Sequence, residues 1–320
     1  MPKCFPNEYA KKSLLLSFLV AVFAVGWIHA EVYPIQFSIA EEKIVKEIPF
    51  KDLDFAPLIP GDLSTYVYTE ESDYRRDYQR SYFAVTCKKG GWDCMRHYEI
   101  LANGCIPYFT DIDSCDLNTM YFLPRALIRE AMNLPGVSYM SIDHEKFDKV
   151  RYFEILNELL DHTRKYLTAK SMAAYLLKKI NYSGSGKILF LSNDVSPDYM
   201  RCCTLGGLKE LLGDRVVDVP KIEHIYKSYS GDVKQLYGKG FSYTKTIEDL
   251  PVDRDNIERR IRSREFDLVI YGSVHRGLRF HDLVNNSYSP DKIVYICGED
   301  YHRCPYTYLN HLFLREFEAR

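Results

Sequence analysis

What the 320-residue chain lacks narrows its chemistry first. Neither sign of charge dominates: 42 Lys and Arg against 44 Asp and Glu leave a formal charge of -2. There is thus no basic footprint for nucleic acid, which is excluded as a main partner. The 9 Cys residues contain no C-x-x-C pair and no His at zinc-ligand spacing, which argues against a tetrahedral metal site. Adjacent Cys202 and Cys203 cannot easily share one unstrained bridge. No G-x-G-x-x-G run follows the strand-like KILFLS from Lys187, which counts against a nicotinamide cofactor or a methyl donor. The Ser183-Gly184-Ser185-Gly186 stretch ahead of it is a linker rather than a phosphate loop, because such a loop follows its strand and opens a helix. Neither a metal nor a resident cofactor is therefore expected.

What is present is a globular composition. With 46% hydrophobic and 27% charged residues, the chain is long enough for two domains, each with a core. Its 26 Tyr and 17 Phe suit a sugar-stacking cleft, but tyrosine-rich cores are the commoner cause. Three Asp-x-Asp pairs, at Asp52/Asp54, Asp111/Asp113 and Asp253/Asp255, are about as many as chance supplies and carry no weight for a metal.

The densest unit runs from Tyr82 to Phe109, YFAVTCKKGGWDCMRHYEILANGCIPYF. Tyr82 to Thr86 reads as a strand, Lys88 to Gly91 as a turn, Trp92 to Asn103 as a helix closed by Gly104, and Cys105 to Phe109 as a buried strand. Such a βαβ crossover leaves the helix N-terminus at the carboxyl edge of a parallel sheet, where its free N–H groups favour a phosphate. Arg96 and Glu99 are three apart and share a face, so a cation and a carboxylate can serve a diphosphate and a ribose together. The bland alternative is a surface ion pair worth a few tenths of a kcal/mol.

The run RHYEILANGCIPYF, with Arg96, Glu99, Gly104-Cys105, Ile106-Pro107 and then Asp111, resembles the donor-binding segment of exostosin-like glycosyltransferases. The likeness covers roughly Ser81 to Asp113. It implies an α/β protein of two Rossmann-like domains (the GT-B kind), with a nucleotide-sugar donor in the cleft and no obligatory metal. On that resemblance Glu99 holds the ribose hydroxyls and Arg96 the diphosphate. The turn at Gly91 and Trp92 supplies backbone donors, Ile106 and Pro107 line the sugar, and Lys88, with Lys89, adds phosphate contacts. The acceptor is then a glycan or glycoprotein. In that family the donor half comes second, whereas here the motif lies in the first third. Either the halves are permuted and still face each other, or a further module begins after it.

The C-terminal part reads as a second doubly wound unit. Strands are expected at Lys187 to Ser192, Arg215 to Val219, Phe266 to Gly272 and Lys292 to Cys297, with helices at Tyr199 to Leu212 and Arg254 to Arg264. Function sits at the carboxyl ends of such strands. The polar clusters there are Asn193-Asp194, Ser273 with His275 and Arg276, and Glu299-Asp300. Asp194, His275 and Asp300 are the candidates for a base acting on an acceptor hydroxyl, although Asp and Ser at strand ends are also ordinary capping chemistry. A non-catalytic nucleotide-sugar or glycan-binding protein of the same fold is the alternative.

The domain reading is a hydrophobic segment 1–30, a donor-binding domain 31–142, a long helical connector 143–182 and a second Rossmann-like domain 183–320. Helical spacing of Phe147, Val150, Leu156, Leu159, Leu160, Tyr166 and Leu167 marks the connector. Ser13 to Ala30 is apolar behind Lys3, Lys11 and Lys12. It reads as a membrane anchor, a signal peptide, or a core helix running into Glu31, the last leaving a cytoplasmic protein. Asn181 and Asn285 lie in N-x-S sequons, which matter only on a secretory route.

Overall fold

The computed structural model describes residues 32–300, 304 and 309–318. The Ser13 to Ala30 run lies outside them. Among the described residues no helix is long and apolar enough to cross a membrane.

The protein is α/β, built on two parallel sheets. The smaller sheet comes from one continuous stretch: β2 (Leu53–Phe55), α1 (Glu71–Arg80), β3 (Ser81–Thr86), α2 (Met95–Ala102) and β4 (Ile106–Phe109), with strand order β2-β3-β4. Every residue of β3 is buried, as expected of a central parallel strand covered on both faces. Phe83 pairs with Ile106 and Ala84 with Pro107.

A short antiparallel pair follows the smaller sheet, β5 (Val137–Ser138) and β6 (Ser141–Ile142), and the larger sheet has six parallel strands. Its order is β1 (Val32–Pro34), β11 (Leu312–Leu314), β10 (Ile293–Cys297), β9 (Phe266–Tyr271), β7 (Lys187–Leu191), β8 (Val216–Val219). Taken from β7 onward this is the doubly wound order 2-1-3-4-5, whose switch point falls between β7 and β9. Alternate residues face opposite layers. Ile188, Phe190, Leu268 and Ile270 join the large core shared with the smaller sheet. Leu189, Leu191, Val269 and Tyr271 face a second core.

Several boundaries differ from the sequence expectation, each for a local reason. The expected helix from Trp92 begins only at Met95, because the Trp92 and Asp93 amides donate to Glu316 at 3.1 and 2.9 Å rather than lying free at a helix start. Its C-terminal end is as expected, with Gly104 at φ +65. The connector is two helices, α4 (Lys149–Tyr166) and α5 (Ala169–Lys179). Thr168 separates them by capping α5 through its hydroxyl, which accepts from the Ser171 amide at 3.1 Å. α4 packs on α2 and on α3 (Arg125–Met132), whereas α5 packs on α6 (Tyr199–Leu212). Gly207 permits that last contact: a Cβ there would meet the Ala169 carbonyl at 1.9 Å.

The partition at 31–142 also changes. β1 does not belong with the smaller sheet; it is the edge of the larger one, paired with β11, with Pro34 opposite Leu314. A proline strand suits an edge, where one face of the ladder has no partner to serve. After β8 the chain makes an excursion before α7 (Ile257–Arg262) and α8 (His281–Ser287). That excursion crosses to the smaller sheet: Lys239 Nζ donates to the Tyr68 carbonyl, Lys234 pairs with Glu70, and the Phe241 and Tyr74 rings lie 5.5 Å apart.

Candidate active site

A cavity of about 740 Å³ opens between the carboxyl edges of the two sheets. From the smaller sheet it is lined by the turn after β3 and the start of α2. From the larger sheet come the segments after β7, β9 and β10, together with the excursion around Tyr237. The switch point of the larger sheet and the βα turn of the smaller one thus face the same space.

On the α2 side, Arg96 and Glu99 both line the cavity, as their spacing predicts. Arg96 Nη2 donates to the Tyr66 hydroxyl at 2.9 Å. Its Nε and Nη1 are buried without a hydrogen-bond partner among the described residues, an arrangement that costs desolvation until an anion arrives. Glu99 is not the free helix-end carboxylate expected. It is 7% exposed and accepts from the Tyr74 hydroxyl at 2.5 Å. Burial, opposed by hydrogen bonds from Ser242 and Tyr74, leaves its pKa above the ordinary value.

The glycine turn does something other than present open amides. Trp92 is buried in the core, and its amide is already committed to Glu316. Gly90 and Gly91 line the cavity, but their missing side chains make room for two carboxylates. A Cβ on Gly90 would lie 2.3 Å from Asp300 Oδ2, and one on Gly91 2.3 Å from Glu316 Oε1. Lys89 lines the cavity and Lys88 does not; the Lys88 amide donates to Asp111 at 3.1 Å and its Nζ sits 5.4 Å from the Trp92 ring centre. Ile106 and Pro107 do not line the sugar space either. They are buried members of β4, paired with β3.

The base candidates separate clearly. Asp194 is outside the cavity lining; its carboxylate closes a turn with Ser196 at 3.0 Å and pairs at 3.2 Å with the fully buried Arg201. Asp300 is in the lining but is tied to Arg315, whose side chain is itself buried and also pairs with Glu316 at 3.2 Å. His275 is in the lining, 13% exposed. Its Nδ1 is buried without a partner among the described residues.

One residue that sequence reading missed stands at the centre of this half. Asp198 caps α6, accepting from the Arg201 amide at 3.0 Å. Its Oδ2 also receives the Ser273 hydroxyl at 2.6 Å and Arg276 Nε at 2.8 Å, with His275 Nε2 at 3.3 Å. Burial raises its pKa, but the donors from His275, the Arg201 amide and Ser273 outweigh it and hold the carboxyl well below the usual range. The available signal was an Asp immediately before a predicted helix, the N-cap position.

Aromatic side chains complete the walls: Tyr66, Tyr68 and Tyr74 on one side, Tyr199 and Tyr237 on the other. Among the described residues no three His, Cys, Asp or Glu side chains are grouped as a metal ion would need. The arrangement can hold an anion at Arg96, accept hydroxyl donors at Glu99, and accept a proton at His275. No protein-family model, curated protein or solved structure matches the chain.

Proposed function

We propose that this chain is a glycosyltransferase that moves a sugar from a nucleotide-sugar to a glycan or glycoprotein acceptor without a metal. Its two sheets then act as Rossmann-like halves of a GT-B-like arrangement, the smaller inserted into the larger. The observation that carries the reading is Arg96: a guanidinium with two buried nitrogens that have no partner among the described residues, on the same helix face as a buried carboxylate, inside the cavity between the two sheets.

In this reading the donor's diphosphate meets Arg96, and a ribose hydroxyl donates to Glu99. His275 takes the proton from the acceptor hydroxyl as that oxygen forms its bond to the anomeric carbon. The bond from the anomeric carbon to the diphosphate oxygen breaks, and its electron pair leaves with the nucleoside diphosphate. Arg96 balances the charge that develops there, the role a metal plays in other sites. Asp194 is dropped as a base, since it faces Arg201 and not the cavity. Asp300 is less free than His275 to meet a hydroxyl, because Arg315 holds its carboxylate.

Turnover of a radiolabelled nucleotide-sugar panel, with and without glycan acceptors, tests the proposal. Release of nucleoside diphosphate coupled to acceptor labelling is expected for at least one donor. Calorimetric binding without turnover across the panel would assign a non-catalytic nucleotide-sugar binder, and no binding at all would refute both.

A further inference from the structure

We infer that Asp198 is the positioning residue of the site: it fixes the proton of His275 on Nε2 and so leaves Nδ1 as the atom that receives a proton. The role of Nδ1 as a base rests on the glycosyl-transfer reading, while the placement of the proton does not.

The argument starts from the ring. A neutral imidazole has one N–H and one bare nitrogen, and its surroundings choose which is which. His275 Nε2 lies 3.3 Å from Asp198 Oδ2 and 3.8 Å from Glu299 Oε1, so both carboxylates nearest the ring face the same nitrogen. Ser273 Oγ is 3.5 Å from Nε2, but its hydroxyl proton is given to Asp198 at 2.6 Å. Nδ1 has no partner among the described residues. A proton on Nε2 therefore lies beside a carboxylate, that of Asp198. On Nδ1 it would be a buried donor without one, which costs roughly 1–3 kcal/mol.

Asp198 suits this task because its charge is secured from several directions. It caps the 14-residue helix α6, where the helix dipole favours an anion. Arg276 Nε and the Ser273 hydroxyl both donate to the oxygen that faces His275. Arg276 is held in turn by the Ser196 hydroxyl at 3.0 Å and the Pro197 carbonyl at 3.3 Å. The carboxylate thus stays ionised and stationary while the ring beside it gains a proton, and the imidazolium forms next to a fixed anion. The constellation is not a nucleophilic triad, since Ser273 donates to the acid rather than to the histidine.

The test is spectroscopic. Long-range proton–nitrogen correlation spectra of the full chain, labelled at histidine and recorded where imidazole is neutral, report the tautomer of each ring, and a His275→Gln spectrum assigns His275 by subtraction. The wild type is expected to show Nε2 protonated and Nδ1 bare; a protonated Nδ1 overturns the inference without any further variant. Asp198→Ser retains an N-cap oxygen for α6 but is too short to reach the ring. It is expected to fold, to lose the single tautomer, and, for a donor the wild type uses, to lower kcat by roughly 10²-fold with little change in donor KM. An unchanged tautomer in a folded Asp198→Ser chain also overturns the inference. If no donor is turned over by the wild type, the glycosyl-transfer reading fails while the tautomer result still decides the role of Asp198.

Discussion

Glu316→Gln offers a test of how the C-terminal segment holds the cleft, independent of any substrate. Glu316 is 3% exposed, accepts from the Trp92 and Asp93 amides, and sits beside Arg315 and Asp93. Burial, only partly offset by Arg315, pushes its pKa up from 4.5 to about 7. Asp93 is pushed up to about 6, again chiefly by burial. A carboxyl whose folded-state pKa is raised binds more protons folded than unfolded, so its effect favours folding at low pH and is lost as pH rises from 4.5 towards 7. For Glu316 alone the full span corresponds to roughly 3 kcal/mol, most of it between pH 5 and pH 8.

Glutamine resembles the protonated form at every pH, so Glu316→Gln removes this dependence. Urea denaturation at pH 5, 6, 7 and 8 is the assay. The stability of the variant relative to wild type is expected to rise by roughly 2–3 kcal/mol across that range. Coupling to Asp93 has the same sign and leaves a residual slope in the variant. A difference that stays flat with pH, or that falls toward alkaline pH, would refute the placement of Glu316 as a buried acid on the glycine turn.

Arg96→Ala is expected to weaken nucleoside diphosphate binding by about 1.5–3 kcal/mol, roughly 10- to 150-fold, measured by titration calorimetry; unchanged affinity would remove Arg96 from the donor site. Glu99→Ala should abolish that binding and also lower stability by about 1–3 kcal/mol, since it orphans the buried Tyr74 hydroxyl; an equally stable variant contradicts the packing role. His275→Ala should reduce turnover by about 10²-fold or more with donor binding kept, and full activity would disqualify it as the base. Asp194→Ala should instead leave the chemistry intact and destabilise the fold by about 1–3 kcal/mol, because it leaves buried Arg201 with backbone carbonyl partners only, a difference that thermal and urea melts will read.

Much of the smaller sheet was legible because its signals are local. β3, the turn, α2 and β4 follow one another within one stretch, and Gly104 marks the helix end with a left-handed backbone. The same holds for α6, whose predicted bounds are those observed. What was not legible depends on residues far apart in sequence. Gly91 and Trp92 read as phosphate donors until Glu316, more than two hundred residues later, occupies the Trp92 and Asp93 amides and fills the space beside Gly91. Asp194 was a base candidate because it lies just beyond a strand end, but its turn points it at Arg201. β1 and β11 are three residues each, too short for an alternation of period two to register. The cleft was therefore half readable: Gly91, Arg96, Glu99, His275 and Asp300 are in its lining, whereas Asp194, Lys88, Trp92, Ile106 and Pro107 are not.

The early position of the donor-like motif has a topological explanation in β1. A simple exchange of two complete halves would place the first strand in the first sheet, yet β1 pairs with β11 at the edge of the larger one. The smaller sheet is therefore inserted between the first strand of the larger sheet and all the others. Its two connections run side by side: the Ile39 amide donates to the Leu167 carbonyl at 3.0 Å, and Ala169 donates back to Ile39 at 2.9 Å. An insertion whose ends lie together leaves the host sheet undisturbed, so β7 through β11 keep the doubly wound order and its switch point. The C-terminal residues then return across the seam, where Arg315 and Glu316 reach the glycine turn and the Phe317 amide donates to Thr119 at 2.7 Å. The carboxyl edges of both sheets meet at one cavity even though the larger sheet is interrupted along the chain by the smaller. Order along the sequence consequently carries little information about which strand ends share a site; the pairing of the chain's first described strand with its last carries more.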